Sequence, residues 1–165
     1  MFTGQRRFVS LVSVVFCLAL TASVAANPET RPFSVTLDGH ANPVFQPDGC
    51  TIINDEQGTG QVARHLGAIS WQSHEVVNLC TNPEGADVVG EFVLTAADGD
   101  QVFGTYQTLA HLDFGAGQVR ALGGFQITGG TGRFVDASGQ GIISAVGSLA
   151  PPFGVLGQMT GVIGY

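Results

Sequence analysis

Past its N-terminal run, this chain alternates apolar and polar residues at every second position, and glycines or Asx-Gly pairs interrupt the alternation every 8 to 15 residues. A period of two cannot build the apolar stripe of a helix, so the pattern confines the chain to strands joined by tight turns. The expected fold class is all-β. Phe33, Val35 and Leu37 alternate with Ser34, Thr36 and Asp38 in a first strand, and residues 119–128, 139–149 and 153–165 give three more. In the last of these, Phe153, Val155, Met159, Ile163 and Tyr165 share one face. Residues 58–79 read as one long or two kinked strands with Gly67 at a bulge or bend. Residues 42–60, rich in Asx and proline, read as the longest irregular connection.

The clearest hairpin centres on Asp98-Gly99, because Asp-Gly supplies the positive φ angles of a two-residue turn. That turn predicts Leu94 opposite Phe103, Phe92 opposite Thr105, and Glu91 opposite Tyr106. It places Phe92, Leu94, Ala96 and Phe103 on the apolar face and Glu91 with Tyr106 on the other. With seven or eight strands in all and 44% hydrophobic residues, a chain like this gains from having no exposed strand edge. A single antiparallel eight-stranded β-barrel is therefore expected, with a β-sandwich as the alternative.

Residues 1–26 read as a secretory signal: Arg6 and Arg7 precede a 13-residue apolar run, and small residues at 23–26 suit cleavage. A run of that length falls short of the roughly 20 residues that cross a bilayer, so no membrane span is expected once the signal is removed. The remainder, residues 27–165, suits one domain. It keeps four arginines against 13 acids and has no lysine, which makes nucleic acid and anionic membranes poor partners. Its two cysteines, Cys50 and Cys80, read as a disulfide in an exported protein, the alternative being two free buried thiols. The location expected is extracytoplasmic, either periplasmic or extracellular.

Residues 123–141 hold seven glycines in nineteen positions, and the core Gly129-Gly130-Thr131-Gly132 suggests a phosphate loop. Context argues against one. The third glycine of a dinucleotide fingerprint would be Val135, a helix after it would break at Ser138-Gly139, and the Walker lysine is absent. The glycines read instead as positive-φ positions in a sharp connection, with Phe134 and Val135 starting a short paired segment that Gly139 ends.

The stretch from Phe125 to Gly139 resembles the GGTGxFxxAxG element of the dirigent proteins and of the allene oxide cyclase-like barrels. The order GQVARHLG, FVLTAADGDQVFGTY, GGTG and a terminal Gly-x-Ile-x-Tyr is similar to that of exported bacterial members of the group. The resemblance spans residues 58–165 and implies an eight-stranded barrel whose interior accepts a small lipophilic molecule with neither metal nor cofactor. It transfers no catalytic residue, because the GGTG element is structural in these families, and fold alone does not carry activity.

Few side chains offer chemistry. His65 and Trp71 share a strand phase with Ile69, so a regular strand would turn an imidazole and an indole toward one pocket. Glu91 with Tyr106 is the best acid-plus-hydroxyl pair, since a carboxyl inside an apolar barrel becomes a usable acid or base, the alternative being a surface contact if the more hydrophobic Phe92 face points inward. His111-Leu112-Asp113 and His74-Glu75 are isolated couples that do not make a metal site, and no serine stands in a nucleophile elbow. Three readings follow: a secreted barrel that binds a small hydrophobic molecule, a cofactor-free isomerase or cyclase using the same cavity, and a secreted interaction module that self-associates through its wall.

Overall fold

The computed structural model describes residues 29–62 and 66–165. They form a closed antiparallel barrel in which each strand pairs with its sequence neighbours and the first pairs with the last, which rules out the sandwich. The strands are β1 (Thr30–Phe45), β2 (Thr51–Val62), β3 (Gly67–Asn82), β4 (Gly85–Ala96), β5 (Gln101–Asp113), β6 (Gln118–Gly130), β7 (Ser138–Ser148) and β8 (Gly154–Gly164). The expected signal segment, residues 1–26, and the candidate His65 lie outside the described residues. No helix among the described residues is long and apolar enough to cross a membrane.

Alternation along each strand decides which side chains go inside. Phe33 and Val35 of β1, Ile69 and Trp71 of β3, Phe92 and Leu94 of β4, Phe125 and Ile127 of β6, and Met159 and Ile163 of β8 are all buried in the lumen. Their neighbours in sequence, such as Gln72, Glu91 and Gln126, face out.

The two ends of the barrel differ. At the end holding the β4–β5 and β6–β7 connections, a single 3-10 turn (Gly132–Phe134) drops Phe134 into the lumen, fully buried. Its ring meets Tyr165 edge-on, with centroids 4.8 Å apart. Arg31 braces this plug: its Nη1 donates to the Tyr165 hydroxyl at 3.1 Å, and its guanidinium lies 5.0 Å from the ring centroid. At the opposite end, the Cys50–Cys80 disulfide joins the β1–β2 turn to the end of β3, with Cα atoms 5.4 Å apart.

Four local expectations are corrected. Residues 42–60 are not an irregular connection: β1 runs to Phe45 and β2 starts at Thr51. The short turn between them is tied by Asp48, whose side chain accepts from the Cys50 and Thr51 amides at 3.0 and 2.9 Å. Residues 58–79 do fall in two strands, but as antiparallel arms that pair with each other rather than one kinked run, and Gly67, at φ +70°, opens the second. Phe134 and Val135 do not start a paired segment, and Gly139 lies within β7 rather than ending one. Gly129 takes φ +154° among the last paired residues of β6 and Gly132 adopts φ +56° at the head of the 3-10 turn, whereas Gly130, which ends β6, is required by space, since a Cβ there would sit 2.1 Å from the Gln101 carbonyl.

The fourth correction has the largest effect. The β4–β5 loop holds three residues, not two: Ala96 donates its amide to the Asp100 carbonyl, Gly99 donates to Ala96, and Gly99 takes φ +91°. Each facing pair therefore shifts by one, giving Leu94 opposite Val102, Glu91 opposite Thr105 and Gly90 opposite Tyr106. Tyr106 joins Phe92 and Leu94 in the lumen, while Phe103 and Glu91 turn outward. A one-residue slip exchanges faces, so the expected Glu91–Tyr106 pair does not exist.

Candidate functional site

Inward positions on β2, β3 and β5 bring together a polar cluster in the half of the barrel away from the Phe134 plug. Register sets it up, with Asn54 opposite Glu75, Glu56 opposite Ser73, and Gly58 opposite Trp71. Asn54 Nδ2 donates to Glu75 Oε1 at 2.7 Å and to Glu56 Oε1 at 3.2 Å, and the Ser73 hydroxyl donates to Glu56 Oε2 at 3.1 Å. From β5, the Tyr106 hydroxyl donates to Glu75 Oε2 at 2.6 Å.

Burial and the neighbouring Glu75 charge push the Glu56 carboxyl up to about 8, against the opposing effect of its hydrogen bonds from Ser73 and Asn54. At neutral pH Glu56 is thus mostly protonated. Burial and the same two carboxylates raise the Tyr106 phenol, which stays neutral and acts as a donor. Two polar atoms of the neighbourhood lack any hydrogen-bond partner: Asn54 Oδ1 and Thr108 Oγ1, both on buried residues.

The cluster borders two cavities. One, of about 90 Å³, lies inside the lumen between Glu56, Glu75, Val88 and Tyr106 on one side and Leu37 and Ile143 on the other. The second, of about 150 Å³, extends toward the open end past Asn54, Leu112, Phe153 and Phe45. Glu56, Val119, Gly147 and Val155 line both. Phe45 is 71% exposed and marks where the second cavity reaches solvent.

Of the residues singled out from sequence, Trp71 and Tyr106 face the lumen and border the inner cavity. Trp71 is a wall rather than a donor to a ligand, because its Nε1 donates to the Thr59 and Asp38 carbonyls at 3.1 and 3.3 Å. Glu91 sits on the outer wall beside His74, whose Nδ1 lies 2.7 Å from Asp55 Oδ1. Among the described residues no group of three or more metal-ligating side chains converges. Asn54, Glu56, Ser73 and Thr108 escaped the sequence reading, and Glu75 entered it only beside His74 as a rejected metal couple. The usable signal was strand phase: once Ile69 and Trp71 face inward, Ser73 and Glu75 follow at the same period.

No protein-family model matches the chain, and no curated protein matches it. Among solved structures it is similar to the pterocarpan synthase dirigent protein GePTS1, at 11% identity over 85% of this chain and 88% of that one, with a TM-score of 0.49. The fold class, a closed eight-stranded antiparallel barrel, stands on the chain's own strand ladder.

Proposed function

We propose that this protein binds a small, largely apolar molecule in the barrel, with the molecule's polar group against Glu56, Glu75 and Tyr106. The observation that carries the reading is a hydrogen-bonded polar cluster set into an otherwise apolar lumen beside cavities that reach one open end. Pockets that bind small molecules combine apolar walls with a few convergent polar groups in this way. The site of action is extracytoplasmic, a reading supported by the Cys50–Cys80 disulfide.

Trp71, the only tryptophan, borders the inner cavity and reports on it. Titrating the protein with a panel of fatty-acid, alcohol, amine and aromatic probes should shift its emission for at least one class. Silence toward every probe would remove the reading. Native mass spectrometry and solvent extraction of protein taken from its own source should then supply the natural occupant.

A second reading, a cofactor-free isomerase or cyclase, is favoured by one observation. Glu56 lines the inner cavity beside Glu75, where burial and the Glu75 charge push its carboxyl up to about 8, the condition for a general acid. It takes the role that the outward-facing Glu91 cannot. Conversion of the extracted molecule on incubation, lost in Glu56→Gln, would decide for turnover over carriage. Self-association is a further part of the proposal, supported by Leu122, Ile142 and Leu156, which lie exposed on the outer wall of β6, β7 and β8.

A further inference from the structure

Hydrogen-bond accounting in the lumen narrows the ligand class. The side-chain donors of Asn54, Ser73 and Tyr106 all point at Glu56 and Glu75 oxygens. The unpartnered atoms are oxygens. Asn54 is 7% exposed and Thr108 6%, yet Asn54 Oδ1, an obligatory acceptor, and Thr108 Oγ1 have no partner. A buried amide oxygen is costly unless something donates to it, and the Thr108 hydroxyl oxygen can accept beside it.

Charge points the same way. Glu56 and Glu75 face each other's field with no cation near: the chain has no lysine, and neither cavity is lined by arginine or histidine among the described residues. The titratable groups facing Glu56 from the packed strands are Glu75 of β3 and Tyr106 of β5, and neither brings positive charge. A carboxylate ligand would add a third acid to this site, and a hydrocarbon would leave the acceptors empty.

We infer that the barrel takes a small primary amine with an apolar body, its ammonium donating among Glu56, Asn54 Oδ1 and Thr108 Oγ1. The inference rests on the cavity reading above and specifies it. The apolar body lies against Leu112, Val119, Phe153 and Val155, which wall the second cavity, and Glu56 lines both cavities. An apolar cavity of about 150 Å³ is enough to hold a benzene ring, so a single aromatic ring on a short amine chain is the matching size.

The test compares three near-isosteres by calorimetry and Trp71 emission: phenethylamine, phenethyl alcohol and phenylacetate. Near pH 7 the amine should bind about ten-fold tighter than the alcohol or better, and phenylacetate weakest of the three. Amine binding should also release close to one proton, read from the dependence of the heat on the ionisation enthalpy of the buffer, because the incoming cation drives Glu56 to its charged form. The alcohol should release none. In Glu56→Gln the preference for amine over alcohol should collapse to about two-fold or less, and the proton release should vanish. The proton count on the unaltered protein holds even if that variant folds poorly. Alcohol binding as tightly as amine, or amine binding without proton release, overturns the inference and leaves the cavity reading standing. Silence toward all three, with binding of other probes, does the same. Silence toward the whole panel removes both.

Discussion

Tyr106 and Glu75 lie on strands that do not touch, yet they are joined by a 2.6 Å hydrogen bond that passes over Gly90 of the intervening β4. The ladder places Gly90 directly between them, and a Cβ there would stand 2.6 Å from the Tyr106 hydroxyl oxygen. Gly90→Ala should therefore push the phenol off Glu75, at a cost of about 1 to 3 kcal/mol from overpacking and the lost bond. Urea unfolding measures it, and an unchanged midpoint would mean that the phenol has another place to go.

Tyr106→Phe removes the same donor without adding volume. Leaving Glu75 Oε2 buried without this bond should cost about 1 to 3 kcal/mol. If both substitutions act through one hydrogen bond, the double variant should lose clearly less than the two single losses added together.

Stability should fall as pH rises through neutrality. A carboxyl whose pKa increases on folding holds a proton that the unfolded chain gives up, so the contribution of Glu56 is full below about 4.5 and declines until about pH 8. The slope is at most about 1.4 kcal/mol per pH unit. His74, raised by its hydrogen bond to Asp55, also loses its contribution as pH climbs. The difference between the unaltered protein and Glu56→Gln isolates the carboxyl: thermal melts should decline more steeply with pH in the former, and parallel curves would refute the assignment.

Replacing Cys50 and Cys80 by serine opens a link between residues 30 apart in sequence. By loop-closure entropy the loss should be roughly 3 to 4 kcal/mol, seen as a lower urea midpoint. A loss below about 1 kcal/mol would show that the carboxylate of Asp48 already holds the β1–β2 turn through Cys50 and Thr51.

Leu122 and Ile142, 62% and 61% exposed on adjacent strands, make the outer-wall test. The unaltered protein should sediment as a multimer, and Leu122→Glu with Ile142→Glu should sediment as a monomer with an unchanged melting curve. A monomeric unaltered protein at high concentration would end the self-association idea.

Much of the barrel was legible because its C-terminal strands obey the period-two rule: β6, β7 and β8 fall within two residues of the expected spans. Where glycine and proline serve close strand approach rather than turns, the reading failed. Pro43, Gly58 and Gly60 all lie inside β1 or β2, which made those strands look like a loop. The β4–β5 register failed because Asp98-Gly99 fits both a two-residue turn and the last positions of a three-residue one. Trp71 and Tyr106 were visible as unusual side chains, but Glu56 was not, and Glu75 was noticed only as the neighbour of His74. An inward carboxylate breaks the alternation from which direction is inferred, and only the phase of its strand neighbours reveals where it points.

The pairing of Thr30 with Gly164 closes the ring, and this changes what the order of the strands means. Seven of the eight seams join strands that follow one another along the chain and form locally. Only the β8–β1 seam must be found across nearly the whole sequence, so the entropic cost of this topology is concentrated in one closure. Once that seam exists, the ring has no privileged starting point, and the exposed tip at residues 114–117 would serve as well as the present ends for the chain to begin and finish.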